Sequence, residues 1–159
     1  MLNKIKKNKS DGFTIIEVLI VLAIAGLILL IVFLAVPALQ RNAHNTAAKN
    51  DVAGLLGAMS EYVNNNSGSL PAAQAAGSGA SYVIGSGAGI STATAKLGYY
   101  TGADVSIVTT VPATAPTSGV VIVEKATCSG NSATATGASP RGYAAWYVIE
   151  GGGTQCSSS

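Results

Sequence analysis

The chain has 159 residues, which leaves room for one modest soluble domain. Its formal net charge is +2, but four of the nine basic residues lie before residue 10. From Phe13 onwards five basic residues face six acidic ones. This near-neutral balance argues against a basic surface for polyanions, so no specific nucleic acid partner is indicated.

The first segment, residues 1–12, is short, polar and cationic. Its basic residues are Lys4, Lys6, Lys7 and Lys9. Fewer positive charges follow the apolar stretch that comes next, and this asymmetry predicts that the N-terminus lies on the cytoplasmic side of a membrane.

A long apolar run follows this basic segment. From Val18 to Val36 there are 19 residues with no charge and no strongly hydrogen-bonding side chain. As an α-helix they span about 28 Å, which is about the hydrocarbon core of a bilayer. The run exceeds the core of about 7–15 residues of an ordinary secretory signal. It predicts a membrane-length helix over residues 13–37.

One carboxylate, Glu17, lies just before this run. A charge at mid-bilayer costs about 2.5–3.5 kcal/mol, whereas the Val, Leu, Ile and Phe residues that follow contribute roughly 5–9 kcal/mol towards insertion. Insertion is therefore favoured. Glu17 is either a tolerated interfacial acid without a role or a functional acid with a partner.

The sequence Lys9-Ser10-Asp11-Gly12-Phe13-Thr14-Ile15-Ile16-Glu17 resembles the type IV prepilin signature. That signature has a short basic leader, a glycine, a phenylalanine and a glutamate at the fifth mature position. The resemblance implies that a prepilin peptidase removes residues 1–12 by cutting between Gly12 and Phe13, and then methylates the Phe13 amine. It also implies that Glu17 pairs with the Phe13 ammonium of an adjacent subunit during assembly.

The resemblance further implies a structural subunit of a type IV pilus, without catalytic activity or cofactor. The chain would be stored in the cytoplasmic membrane as a single-pass protein, and then polymerised into an extracellular filament for adhesion and motility. The implied partners are other copies, the prepilin peptidase, an assembly ATPase and an inner-membrane platform. Two alternatives stay open: a minor pilin or type II secretion pseudopilin, and a signal-anchored extracellular binding protein or enzyme.

The helix is predicted to change character after Pro37, where the missing backbone donor predicts a helix break or kink. Type IV pilins usually carry such a proline nearer the N-terminus. Residues 38–63 form an amphipathic pattern that continues into the globular domain, with apolar side chains at three- and four-residue steps. Gly54 and Gly57 weaken this helix by about 1 kcal/mol each, which suggests close packing against something.

Residues 64–159 are rich in Gly, Ala, Ser and Thr. Alternating β-branched and aromatic residues between turn signals predict five strands. These are Ser81–Ile84, Leu97–Tyr100, Val105–Thr109, Val120–Lys125 and Tyr143–Glu150. The predicted fold is α+β, with the long N-terminal helix packed on a small antiparallel sheet. Tyr143, Trp146 and Tyr147 are expected in the core of that sheet.

Two cysteines, Cys128 and Cys156, suit an oxidising exterior. A bridge between them would close a loop of about 28 residues and stabilise the domain by roughly 3–4 kcal/mol. Two buried free thiols are the alternative. Type IV pilins commonly close their C-terminal region in this way, so the resemblance favours the disulfide.

No catalytic, cofactor-binding or metal site is predicted. His44, the one histidine, has no second ligand at metal spacing and is expected to be a solvated helix residue. The run Gly85–Gly89 lacks the Lys-Ser/Thr of a phosphate-binding loop and is interpreted as a turn. Asp104, Glu124 and Glu150 are dispersed along the chain without the pattern of a paired acid and base.

Overall fold

The computed structural model describes residues 12–71, 77–85 and 91–159. The predicted leader therefore lies outside the described residues except for Gly12, and so does most of the predicted glycine turn, Ser86–Gly89. The chain divides into two compact units, Met1–Leu39 and Gln40–Ser159. They are called the N-terminal unit and the C-terminal unit below.

One helix, α1 (Ile15–Asn65), contributes to both units. It ends where Ser67 and Gly68 adopt left-handed backbone conformations, with φ values of 57° and 81°. The N–H of Gly68 donates to the carbonyl of Val63 at 2.7 Å, which pairs one of the last free carbonyls of the helix. This left-handed turn stops the helix, two residues after the predicted end.

In the C-terminal unit α1 buries one face at three- and four-residue steps. The buried residues of this face are Ala48, Asp51, Val52, Leu55, Ala58, Met59, Tyr62 and Val63. Apart from Asp51 they share one hydrophobic core with inward-facing strand residues. Burial of this stripe against the sheets is what holds the helix to the rest of the unit.

Nine strands follow the helix within the described residues. They are β1 Gly77–Ser78, β2 Ser81–Ile84, β3 Ala93–Lys96, β4 Val105–Val108, β5 Val120–Glu124, β6 Thr127–Ser129, β7 Ser132–Thr134, β8 Tyr143–Val148 and β9 Thr154–Ser158. Strands β1, β2 and β3 form an antiparallel sheet, and β6 pairs with β7. The largest sheet has the order β4-β5-β8-β9.

The α+β prediction is confirmed. The largest sheet is mixed rather than wholly antiparallel, because β4 runs parallel to β5. Parallel neighbours need a longer connection than a hairpin, and the segment between these two strands supplies it. Strands β1, β3, β6, β7 and β9 have no counterpart among the predicted strands, since they are composed mainly of Gly, Ala, Ser and Thr and lack runs of β-branched aliphatic or aromatic residues.

The largest sheet has a hydrophobic core on each face. On β5, Val120 and Ile122 belong to the core shared with α1. Val123 belongs to a second core with Trp146 of β8 and Ala133 of β7. Alternation along the strand sends successive side chains to opposite faces, so one strand serves both cores.

A disulfide joins Cys128 of β6 to Cys156 of β9, with a Cα–Cα distance of 5.7 Å. It ties the β6–β7 pair to the edge of the largest sheet. Trp146 is the cross-strand partner of Cys156, and both half-cystines pack against the second core. The bridge closes a loop with a sequence separation of 28 residues.

The prediction of a strand over Leu97–Tyr100 is wrong. Oδ1 of Asp51 accepts the backbone N–H of Gly98 at 2.8 Å, and Oδ2 accepts those of Tyr99 and Tyr100 at 2.7 and 2.9 Å. Because this carboxylate takes the three donors, they are not available to a strand ladder. Asp51 is 6% exposed, so its negative charge is compensated by these donors rather than by water.

We predict that Asp51→Ala destabilises the C-terminal unit by about 3 kcal/mol, because it leaves three backbone donors, of which that of Tyr100 is buried, without their acceptor. Chemical denaturation of the full chain in detergent micelles measures the free energy of unfolding. Glu61→Ala is the control, since it removes an exposed acid from the same helix and should change stability by less than about 0.5 kcal/mol. Equal effects of the two substitutions would contradict the role given to Asp51.

Glu124, at the end of β5, is a second buried acid. It is 7% exposed, and its Oε1 has no hydrogen-bond partner among the described residues. Burial raises the pKa of this carboxyl, an effect that the neighbouring Lys125 opposes. The folded chain therefore binds a proton here more tightly than the unfolded chain does. This tighter proton binding stabilises the folded chain. The contribution is complete below the unfolded pKa of about 4.3 and is lost as pH rises through the folded pKa.

We predict that Glu124→Gln raises the melting temperature at pH 7, because the amide has no charge to desolvate. The gain should shrink as pH falls towards about 4, because the wild-type Glu124 carboxyl then becomes protonated in the folded chain and largely so in the unfolded chain. Thermal melts of the full chain in detergent between these pH values measure it. Glu61→Gln, at an exposed position, should show no such trend. A gain in melting temperature for Glu124→Gln that does not depend on pH would contradict the raised pKa of Glu124.

Candidate functional site

Thr14 and Glu17 together close the N-terminus of α1. The backbone N–H and the Oγ1 hydroxyl of Thr14 donate to Glu17 Oε2 at 2.9 and 2.8 Å. The N–H of Glu17 donates in return to Thr14 Oγ1 at 3.4 Å. This reciprocal arrangement is a capping box, which satisfies backbone donors that the first turn leaves free. Its carboxylate also lies at the positive end of the helix dipole.

Thr14 is absent from the predicted site residues, although a signal for it exists in the sequence. Thr14-Ile15-Ile16-Glu17 has the spacing of a capping box and directly precedes an apolar run. The signal identifies both residues as the start of the helix. Glu17 thus has a local structural role besides any role between subunits.

The structure places Gly12, Phe13 and Glu17 at one end of the N-terminal unit. Gly12 and Phe13 are exposed, so the bond between them is accessible. Phe13 and Glu17 line one shallow cleft together with apolar residues of the first helical turns. The hydrogen bonds found at the Glu17 carboxylate use Oε2, and among the described residues Oε1 accepts none. This oxygen can accept a donor from another molecule.

The N-terminal unit exposes its apolar side chains rather than burying them. Between Ile15 and Leu39 the large hydrophobic residues are 41–81% exposed. Helix α1 is long and apolar enough to cross a membrane, and no part of its most apolar window is buried within the chain. A continuous apolar surface of this extent is stable only when lipid or protein covers it.

Helix α1 continues through Pro37, so the helix does not end there. The kink expected at this residue stays a prediction. Gly26 lies in the same apolar stretch, and a Cβ placed on it would meet nothing within 4 Å. Packing among residues 12–39 therefore gives no reason for a glycine at this position.

No group of three His, Cys, Asp or Glu side chains within residues 12–71, 77–85 and 91–159 is placed to hold a metal ion. His44, expected to be solvated, instead contacts Glu150 with 2.6 Å between Nδ1 and Oε2. The imidazole is still about half exposed, and it packs near the ring of Tyr99. Asn45 Oδ1 accepts the N–H of Glu150 at 2.8 Å. These contacts join α1 to the segment after β8 and have a structural role.

We predict that Thr14→Ala loosens the first turn of α1 without unfolding the chain, because a lost cap costs about 1 kcal/mol. Hydrogen exchange of the amides of Glu17 and Val18, which are hydrogen-bonded to Thr14, should accelerate about fivefold in detergent micelles, the factor that corresponds to this free energy. Thr14→Ser retains the capping hydroxyl and should exchange at the native rate. Unchanged exchange in the alanine variant would show that the capping box is absent.

Comparison with protein families finds a match at the start of the chain. Residues 7–33 match the family described as the prokaryotic N-terminal methylation motif. The matched segment runs from the basic residues before Gly12 through most of the apolar run. The chain thus carries a type IV pilin-like prepilin signal followed by a long apolar helix. No curated protein and no solved structure matches the chain.

Proposed function

We propose that the chain is a structural subunit of a type IV pilus, stored in the membrane as a prepilin and polymerised into a surface filament. One observation carries the proposal: the prepilin signal, an acid with one open oxygen and an uncovered apolar surface all belong to one helix. A soluble enzyme or binding protein would leave this apolar surface in contact with water. In a filament each of the three has a function.

Processing is the first step. A prepilin peptidase would cut the exposed bond between Gly12 and Phe13, remove the basic leader and methylate the new amine of Phe13. Thr14 and Glu17 both follow the cut, so the capping box survives processing. The mature chain therefore starts directly beside a helix N-terminus that is already closed.

Charge pairing is the second step. In a low-dielectric environment an unpaired carboxylate is costly, and a close cation compensates it strongly. While Oε2 of Glu17 caps its own helix, Oε1 can accept the ammonium of Phe13 from a neighbouring copy. Phe13 and Glu17 are four residues apart, so this pairing fits parallel helices displaced by about 6 Å. The pair would fix the register between subunits.

Transfer from lipid to protein is the third step. In the membrane, lipid covers the apolar surface of residues 18–36. After extraction by an assembly ATPase acting through an inner-membrane platform, the same surface is buried against other copies by helix packing. Repeated heterologous contacts that do not close produce a helical fibre.

Minor pilins and type II secretion pseudopilins carry the same N-terminal signal. The C-terminal unit has few charges, a surface of small residues and a disulfide that closes its last strands. These features suit a repeated structural subunit exposed outside the cell. Abundance in filaments sheared from the surface distinguishes a major subunit from the minor pilin and the pseudopilin.

We predict that the exported chain begins at a methylated Phe13. Intact mass and N-terminal sequencing of protein sheared from the native host's surface measure this directly. The wild type should be abundant in the sheared fraction. An exported chain that retains the basic leader and stays unpolymerised would contradict the proposal and favour a signal-anchored protein.

We predict that Glu17→Gln is inserted and processed normally but yields at least tenfold fewer filaments. Glutamine can keep the capping box and removes only the charge. Thr14→Ala is the matched variant, because it removes the capping hydroxyl and keeps the charge, and it should assemble. Sheared filaments are quantified against total membrane protein. Native filament yield from Glu17→Gln would show that charge pairing is not required.

A further inference from the structure

In the C-terminal unit, the face of α1 that points away from the core carries small residues. Gly57 lies two positions from both Leu55 and Met59, which are buried, so it occupies the middle of the exposed face. A Cβ placed on Gly57 would meet nothing within 4 Å. Glycine is among the poorest helix formers, and packing against the described residues explains neither its presence nor its position.

Four residues of this face are spaced four apart and form one ridge on the helix surface. This ridge, called the α1 ridge below, consists of Lys49, Ala53, Gly57 and Glu61, all of which are exposed. It has a cation at one end, an acid at the other and small residues between them. Neither Lys49 nor Glu61 has an ion-pair partner among the residues that the structure describes.

The surroundings of Lys49 favour an incoming acid. A cleft of about 450 Å³ opens beside this end of the α1 ridge. Among the described residues that line it, Lys49 is the one with a charge, and Tyr147 and Gln155 contribute polar groups. The Tyr147 hydroxyl already donates to Gln155 Oε1 at 3.2 Å, which leaves the side-chain N–H groups of Gln155 as donors. A carboxylate entering the cleft therefore meets the positive charge of Lys49 and the Gln155 amide, with no like charge among the described lining residues.

We propose that the α1 ridge is an interface with a second copy of this chain, in which Lys49 of one copy pairs with Glu61 of the next. The inference rests on the proposed filament. Lys49 and Glu61 are separated by about 18 Å along the helix, so parallel copies displaced by that distance bring them together. With that displacement, Gly57 and Ala53 of the copy that supplies Glu61 lie level with residues 45 and 41 of the copy that supplies Lys49, and their small size lets that backbone approach closely.

A crossed antiparallel pair would also bring Lys49 to Glu61, but it would satisfy both ends at once and close as a dimer. The displaced parallel arrangement leaves one Lys49 and one Glu61 open at its ends, so the contact repeats. Subunits drawn from one membrane enter a filament in one orientation. The repeating parallel contact is therefore the one that the filament can use.

Charge reversal tests the pairing in cells that assemble the native filament. Lys49→Glu and Glu61→Lys should each lower the yield of sheared filaments at least tenfold, because each places like charges together. The double variant should return to within twofold of the wild type. Lys96→Glu makes the same charge change at an exposed residue of β3 and should assemble normally. Failure of the double variant to recover, or native yield from both single variants, would overturn the pairing.

Cysteine cross-linking tests the geometry. Both native cysteines are held in the disulfide, so Lys49→Cys and Glu61→Cys introduce the reactive thiols. Oxidised filaments of the double cysteine variant should give a ladder of dimers, trimers and larger species on a non-reducing gel. Lys96→Cys combined with Glu61→Cys should give none.

The outcomes separate this inference from the proposed function. Wild-type filaments together with no ladder would overturn the α1 ridge interface and leave the pilin proposal standing. A band at dimers alone would show the closed antiparallel pair and also overturn the inference. Absence of the wild type from the sheared fraction would overturn both.

Discussion

The placement of one carboxylate at the start of a membrane-length apolar helix is the constraint on which the rest of the structure depends. A charge in this environment needs compensation, and the described residues provide hydrogen bonds to only one of the two carboxylate oxygens. Thr14 satisfies Oε2 of Glu17 and fixes the direction of the side chain at the helix start. These hydrogen bonds close the helix end. Because Oε1 accepts nothing among the described residues, Glu17 is still able to bind a cation.

Local sequence patterns predicted the parts of the fold that depend on local burial. The strand predicted over Ser81–Ile84 coincides with β2, because its apolar side chains alternate between buried and half-buried positions. The strand predicted over Leu97–Tyr100 has a similar composition and is absent. There the backbone donors bind Asp51, a residue 47 to 49 positions earlier in the chain. A short window cannot contain such a partner, so it cannot reveal the competition.

The candidate site shows the same division. The prepilin-like signal that contains Gly12 and Glu17 was predictable because it is a single short motif, and cleavage after Gly12 stays a prediction. Thr14 was predictable too, since the capping-box spacing is local. The exposed position of Gly57 was not predictable, because it depends on which face of α1 the sheets cover. Strand β9, rich in Ser and Thr, was also beyond prediction, since its place at the sheet edge follows from pairing with β8 and the disulfide.

The two proposed pairings differ in the displacement they require, and this difference has a structural consequence. Pairing of Glu17 with a neighbouring Phe13 amine fits parallel copies displaced by about 6 Å, whereas pairing of Lys49 with Glu61 fits about 18 Å. One pair of neighbours cannot satisfy both, so each contact must join a subunit to a different neighbour. A helical assembly provides such neighbours at several axial distances through one repeated operation. Two charge pairs at different distances then oppose slippage between subunits, which a smooth apolar surface alone would allow.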